Sequence, residues 1–142
     1  MKIREILQKK GHEVVTVSPD HSVMEAVRML VRHNIGGLVV MQGDRPAGII
    51  TERDVLRLTA EASPSLESVK VGAVMTRELI TAGPDDDLHQ SMGVMTERRV
   101  RHLPVLEEER LVGIVSIGDL VKASIEEKEY LISQLENYIK AG

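Results

Sequence analysis

The chain of 142 residues contains no cysteine, no phenylalanine and no tryptophan. Without cysteine there is no disulfide, no thiolate metal site and no cysteine nucleophile. That usage fits a cytoplasmic protein. Tyr130 and Tyr138 are the only aromatic residues, so the core has to be built from Val, Ile, Leu and Met. The stacking platforms of many single-strand nucleic-acid binders are missing as well. No apolar run approaches the roughly 18 residues that would span a bilayer. The opening segment MKIREILQKKG is charged and amphipathic and lacks the apolar centre of a signal peptide. There is no excess of basic charge either. The formal net charge is −4, and the one basic cluster, MTERRVRH (residues 95–102), has no aromatic interleaving, so a nucleic-acid partner is not expected. The five histidines show no spacing suited to a metal helix. No P-loop, Gly-x-Ser-x-Gly or Ser-His-Asp pattern stands out, and the chain reads as a non-enzyme.

What is present is a repeat. Sliding the chain against itself by 65 residues brings Thr16 onto Thr81, Leu38 onto Leu103, Val40 onto Val105 and Arg45 onto Arg110. Gly48 falls on Gly113 and Asp54 on Asp119 in the same alignment. No gap is needed between residues 16 and 57. Two copies at this period suggest a pseudo-symmetric pair rather than a solenoid array.

Each copy predicts the same elements. Residues 14–17 and 79–82 are β-rich and are followed by a Pro-Asp turn. Residues 22–33 and 87–98 carry apolar side chains at helical spacing behind a Ser or Asp cap. Two apolar strands then turn at QGDR in the first copy and EEER in the second, as hairpins do. A helix follows each hairpin, over residues 52–62 and from residue 117 toward the C-terminus. The predicted fold class is α+β: two β-α-β-β-α repeats packed sheet to sheet, plus a long C-terminal helix. The first repeat with its N-terminal helix takes residues 1–62, a Ser-rich linker 63–70, the second repeat 71–125 and the helical extension 126–142. The segment VGAVMTR leads into the second copy as MKIREILQKKG leads into the first.

The repeated motif is Gly-x-x-Ser/Thr-x-x-Asp, GIITERD and GIVSIGD. One explanation is local. A hydroxyl followed three residues later by an acid resembles a capping box, though Asp is shorter than the usual Glu. The glycine then marks a bulge or a close packing contact. The other explanation is a ligand site. A helix starting after a strand offers free N–H groups and a positive dipole end to a phosphate. An aspartate one turn in suits the two hydroxyls of a ribose, the role an acidic residue plays in dinucleotide-binding domains.

The element order, the HLPVL strand, the motif and its duplication resemble a pair of CBS domains, often called a Bateman module, over about residues 1–125. The closing segment is similar to that of small stand-alone CBS-pair proteins. The resemblance implies a sensor that binds adenosyl compounds such as AMP, ADP, ATP, NAD or S-adenosylmethionine in clefts between the repeats. It implies Asp54 with Thr51 at one site and Asp119 with Ser116 at the other, the aspartates on ribose and the hydroxyls near phosphate. Arg53 becomes a candidate phosphate partner, and Gly118 at the matching position does not. Entering the hairpins, Ile35, Gly36 and Gly37 face Val100, Arg101 and His102 across the repeat. Pro104 carries the family's strand proline, where the first copy has Val39. Two unequal sites are expected. The resemblance also implies a homodimer and a regulated partner protein, with no obligatory cofactor. The alternatives are a structural dimerisation module in which the motif only caps helices, and a metal-dependent nucleotide hydrolase using the acids of PDDD (residues 84–87).

Overall fold

The computed structural model describes residues 1–62 and 65–141. Ser63, Pro64 and Gly142, at the linker and the C-terminus, lie outside the described residues. The chain divides into two compact units. One comprises residues 1–12, 81–106 and 113–142, the other residues 13–80 and 107–112.

In the unit built on the first copy, β1 (Thr16–Val17), β2 (Gly37–Gln42) and β3 (Arg45–Thr51) form one sheet. β1 runs parallel to β2, with Thr16 opposite Val39, and β2 runs antiparallel to β3. The predicted helix is α2 (Val23–His33), and its start is a full capping box between Ser22 and Glu25. Val23, Ala26 and Leu30 share its inner face and pack on Leu38, Val40 and Ile50 of the sheet. α3 (Glu52–Ala62) follows β3 directly. The register of β2 and β3 shifts between Val40 and Met41, opposite Gly48 and Pro46, so a bulge sits beside the motif glycine.

In the second copy, the hairpin of β4 (His102–Glu107) and β5 (Arg110–Ser116) carries α5 (Leu88–Arg98) and α6 (Ile117–Ala141). Asp87 caps α5 by accepting from the N–H groups of His89 and Gln90. The strand expected over residues 79–82 shrinks to a single parallel bridge between Ala82 and Val105. Pro104 explains the loss. Its carbonyl accepts from Ala82 N at 3.0 Å, but it has no N–H to extend the ladder by another pair. Val39 at the matching place in the first copy has one, and there β1 pairs over two residues.

The segments that precede the two copies are exchanged in space. α1 (Ile3–Lys10) comes before the first copy but joins the unit built on the second. Ile3 N and Arg4 N donate to the carbonyls of Asp86 and Pro84, at 3.0 and 2.7 Å. α4 (Val71–Val74) comes before the second copy, yet Val71 and Met75 complete the core of the first. Val71 N donates to His21 O and Gly72 N to Pro19 O, at 2.8 and 2.9 Å.

Candidate functional site

Both copies of the motif fold the same way. At the end of β3, Thr51 N donates to Asp54 Oδ2 at 2.9 Å, and Asp54 N points back to Thr51 Oγ1 at 3.4 Å. At the end of β5, Ser116 N donates to Asp119 Oδ2 at 2.8 Å, and Asp119 N points back to Ser116 Oγ at 3.2 Å. The reciprocal cap therefore forms twice, and the short aspartate reaches the backbone. The main chain entering each hairpin closes the same ring. Gly36 O accepts from Glu52 N at 3.1 Å, and Arg101 O accepts from Ile117 N at 2.8 Å.

These bonds gather most of the expected residues into two clusters. Thr51 lies opposite Gly37 across β2–β3, so Gly36, Gly37, Thr51 and Asp54 meet at the start of α3. Arg101, Ser116 and Asp119 meet at the start of α6, with His102 opening β4 beside them. Arg53 is exposed on the first turn of α3. Ile35 and Val100 sit just past the helices, their N–H groups bonded back to Leu30 O and Met95 O. Pro104 is buried in β4.

Each motif glycine is held by the exchanged segment. A Cβ on Gly48 would stand 2.7 Å from Thr76 O and 2.9 Å from Met75 Sδ. A Cβ on Gly113 would stand 2.7 Å from a methyl of Leu7. Only glycine admits contacts this close.

The same segments hold the aspartates. Thr76 Oγ1 donates to Asp54 Oδ1 at 3.1 Å, while Thr76 N donates to Ile49 O at 2.8 Å. In the second copy, Lys10 Nζ makes both contacts alone. It donates to Asp119 Oδ2 at 2.6 Å and to Ile114 O at 2.7 Å. Ile49 and Ile114 are partners in the repeat, as are Asp54 and Asp119. One lysine ammonium thus stands in for a threonine's main chain and hydroxyl. Asp54 is buried, and Asp119 is only partly so. Desolvation opposes the charged form of Asp119. The hydrogen bonds from Lys10 and from Ser116 N–H, with the lysine's charge, outweigh it and hold the carboxyl below its ordinary value.

Lys10 and Thr76 are the residues that sequence reasoning missed. Neither lies in a motif, and the 65-residue offset does not align them. Sequence order pointed each leading segment at its own copy. The acids of PDDD have structural partners: Asp85 pairs with Arg4, Asp86 accepts from Gly83 N and Asp87 caps α5. Among the described residues, no His, Asp or Glu group is arranged to hold a metal ion.

The CBS domain family matches residues 3–61 and, a second time, residues 71–126. The chain belongs to the CBS-domain family. Both matches begin inside an exchanged helix and end in the helix after the motif. The chain is 38% identical to the mitochondrial CBS domain-containing protein CBSX3 of Arabidopsis thaliana, over 99% of this chain and 72% of that one. It is similar to the crystal structure of a CBS-domain containing protein from Agrobacterium tumefaciens, at 39% identity and a TM-score of 0.85, covering 87% of this chain and 99% of that one. A CBS domain pair solved in complex with 5′-methylthioadenosine and S-adenosyl-L-methionine shares the fold at 27% identity and a TM-score of 0.78, covering 89% and 98% of the two chains. No helix of this CBS pair, among the described residues, is long and apolar enough to cross a membrane.

Proposed function

We propose that this CBS pair is a non-catalytic sensor of adenosyl nucleotides (AMP, ADP, ATP or NAD-like) that works as a homodimer and signals to a partner protein. The observation that carries the reading is the pair of clusters at the starts of α3 and α6. Each joins a carboxylate, a hydroxyl and a helix N-terminus within one turn. A neighbour sharing nearly the whole fold was solved with two adenosyl compounds, which supports the ligand class. Asp54 and Asp119 take the ribose hydroxyls. Thr51 and Ser116 lie near phosphate, with Arg53 on the first side and Arg101 and His102 on the second. Ile35, Gly36, Gly37, Val100 and Pro104 shape the walls.

The second site carries its own switch. A ribose hydroxyl that donates to Asp119 Oδ2 competes with Lys10 for that oxygen. The displaced ammonium is then available to a phosphate. Ligand binding shifts the protein only as far as it favours the displaced arrangement over the clasped one.

The test is calorimetric titration of AMP, ADP, ATP, NAD and S-adenosylmethionine into wild type, Asp54→Ala and Asp119→Ala. Saturable binding, with one class of site lost in each variant, is the expected result. A second reading is favoured by the exchanged segments: glycine and aspartate of each motif are engaged in holding them, as in a purely structural module. No heat from any ligand, with all three proteins folded, would establish that reading instead.

A further inference from the structure

α6 is buried only in its first part. Leu120, Ala123 and Ser124 are buried, and Glu127 is tied to His89 Nε2 of α5 at 3.1 Å. From Lys128 to Ala141 every residue is exposed. A helical stretch of about 12–15 residues is marginal in water without packing. This stretch is also not polar. Ile132, Leu135, Tyr138 and Ile139 are 55, 54, 79 and 74% exposed. The chain has only two aromatic residues, and both stand on this helix.

The exposed apolar residues follow a heptad. Ile125, Ile132 and Ile139 recur every seven residues, and Val121, Lys128 and Leu135 fall between them at the alternating three-four spacing. These are the two seam positions of a coiled coil. The seam begins while the helix is still on the body, where Val121 and Ile125 line an open groove with Lys122 and Glu129. The opposite edge holds the residues that pack inward, so the seam is free along its whole length of about 27 Å.

We infer that this seam is the contact surface for a second copy of the chain, with the two α6 helices antiparallel. The inference rests on the homodimer reading above and specifies its surface. A seam matched to itself selects a second copy. In the antiparallel register Ile125 meets Leu135 of the second copy, Ile132 meets Lys128 and Ile139 meets Val121, so every layer contains an isoleucine. Lys122 then approaches Glu136 of the second copy, twice by symmetry, while the two Glu129 side chains meet between these pairs. Lys128 extends its ammonium toward Glu129 there while its methylenes cover Ile132. A parallel pair would set Lys128 against Lys128. Its flanking contacts would join Glu129 to Ser124 and Glu136 to Leu131, with no ion pair. The segment has five acids against three lysines between Asp119 and Lys140, which disfavours an anionic membrane as the occupant.

The test is the mass of the full-length protein by light scattering and its dissociation constant by sedimentation. Wild type is expected to run at twice the chain mass. Ile132→Asp with Ile139→Asp is expected to raise the dissociation constant at least about 100-fold, because each buries a charge in the seam. Lys122→Glu and Glu136→Lys sit on the exposed flank. Each should weaken the dimer by about 5-fold, and the double exchange should restore it. The absence of cysteine gives a clean test of direction. An oxidised mixture of Ile125→Cys and Leu135→Cys chains should cross-link, and Ile125→Cys alone should not. A monomeric wild type overturns both the homodimer and this surface, whether the helix turns onto its own body or meets another protein. A dimer indifferent to the two aspartates overturns this surface alone. Cross-linking of Ile125→Cys with itself overturns the antiparallel arrangement.

Discussion

Asp54 is gripped by a threonine, and Asp119 by a lysine. The two copies share a motif, a cap and an exchanged segment, yet one clasp is a hydroxyl under cover and the other an ion pair in partial contact with water. Thr76 approaches as main chain, in a two-way bridge with Ile49. Lys10 lies at the end of a helix that stops at Gly11, and only its side chain arrives. A backbone contact is stiff and neutral. A lysine on a flexible stem can leave and carry its charge elsewhere. The comparison teaches that duplicated sequence need not give duplicated sites: fold is conserved between the copies, while electrostatics is not.

The sharpest way to break the comparison is at the glycines. Gly48→Ala drives a methyl into Thr76 O, a backbone atom with nowhere to go. Gly113→Ala meets the side chain of Leu7, both methyls and Cγ, and no backbone atom. Overpacking costs about 1–3 kcal/mol. We expect Gly48→Ala at the top of that range and Gly113→Ala near the bottom, read from urea unfolding midpoints. Equal losses would mean that both segments yield alike and that the stiff–flexible distinction is wrong.

The clasps themselves come next. Thr76→Val removes one hydrogen bond to a buried carboxylate, a loss of about 1–2 kcal/mol. Lys10→Met removes a partly exposed ion pair, worth about 1 kcal/mol. Salt separates them. In 1 M NaCl the loss from Lys10→Met should shrink, and that from Thr76→Val should stay. Acid tests the lysine clasp. The Asp119 carboxyl titrates below its ordinary 3.8 in the folded protein. Its contribution is therefore complete above that value and is lost as pH falls through the lower, folded one. Wild type should lose more stability than Lys10→Met on going from pH 5 to pH 2.5. Parallel pH curves would show that the lysine does not hold Asp119 charged.

Much of this was legible because periodicity and caps are local. Ser22 and Asp87 announce helices that begin one residue later, and α3 spans residues 52–62 as its pattern predicts. The gathering of Thr51 with Asp54 and of Ser116 with Asp119 was legible too, since both pairs lie within one turn. Two kinds of feature were not. The short strand at residues 79–82 failed because β pairing is decided by the other strand, and Pro104 cannot donate. The exchange of α1 and α4 was hidden because either amphipathic segment fits either copy by pattern alone. What decides is the fit of Leu7 over Gly113 and of Met75 over Gly48, contacts across 106 and 27 residues of chain. Lys10 and Thr76 followed those segments out of view.

The smallest effect lies where the copies diverge for no evident gain. α2 and α5 both end on a left-handed residue, Asn34 with φ 52° and Arg99 with φ 55°. Asparagine tolerates that conformation because its side chain bonds locally, while arginine carries the steric cost of a Cβ. Arg99 also places a charge at a helix C-terminus, which favours it by about 0.3–1 kcal/mol when exposed. The two terms oppose each other, and salt weakens only the second. Arg99→Asn should therefore raise the unfolding free energy by about 0.5 kcal/mol or less in dilute buffer, and by more in 0.5 M NaCl. The reverse exchange, Asn34→Arg, should lower stability, and by more as salt is added. A gain from Arg99→Asn that falls with salt would show that the charge, not the backbone, sets the balance at the end of α5.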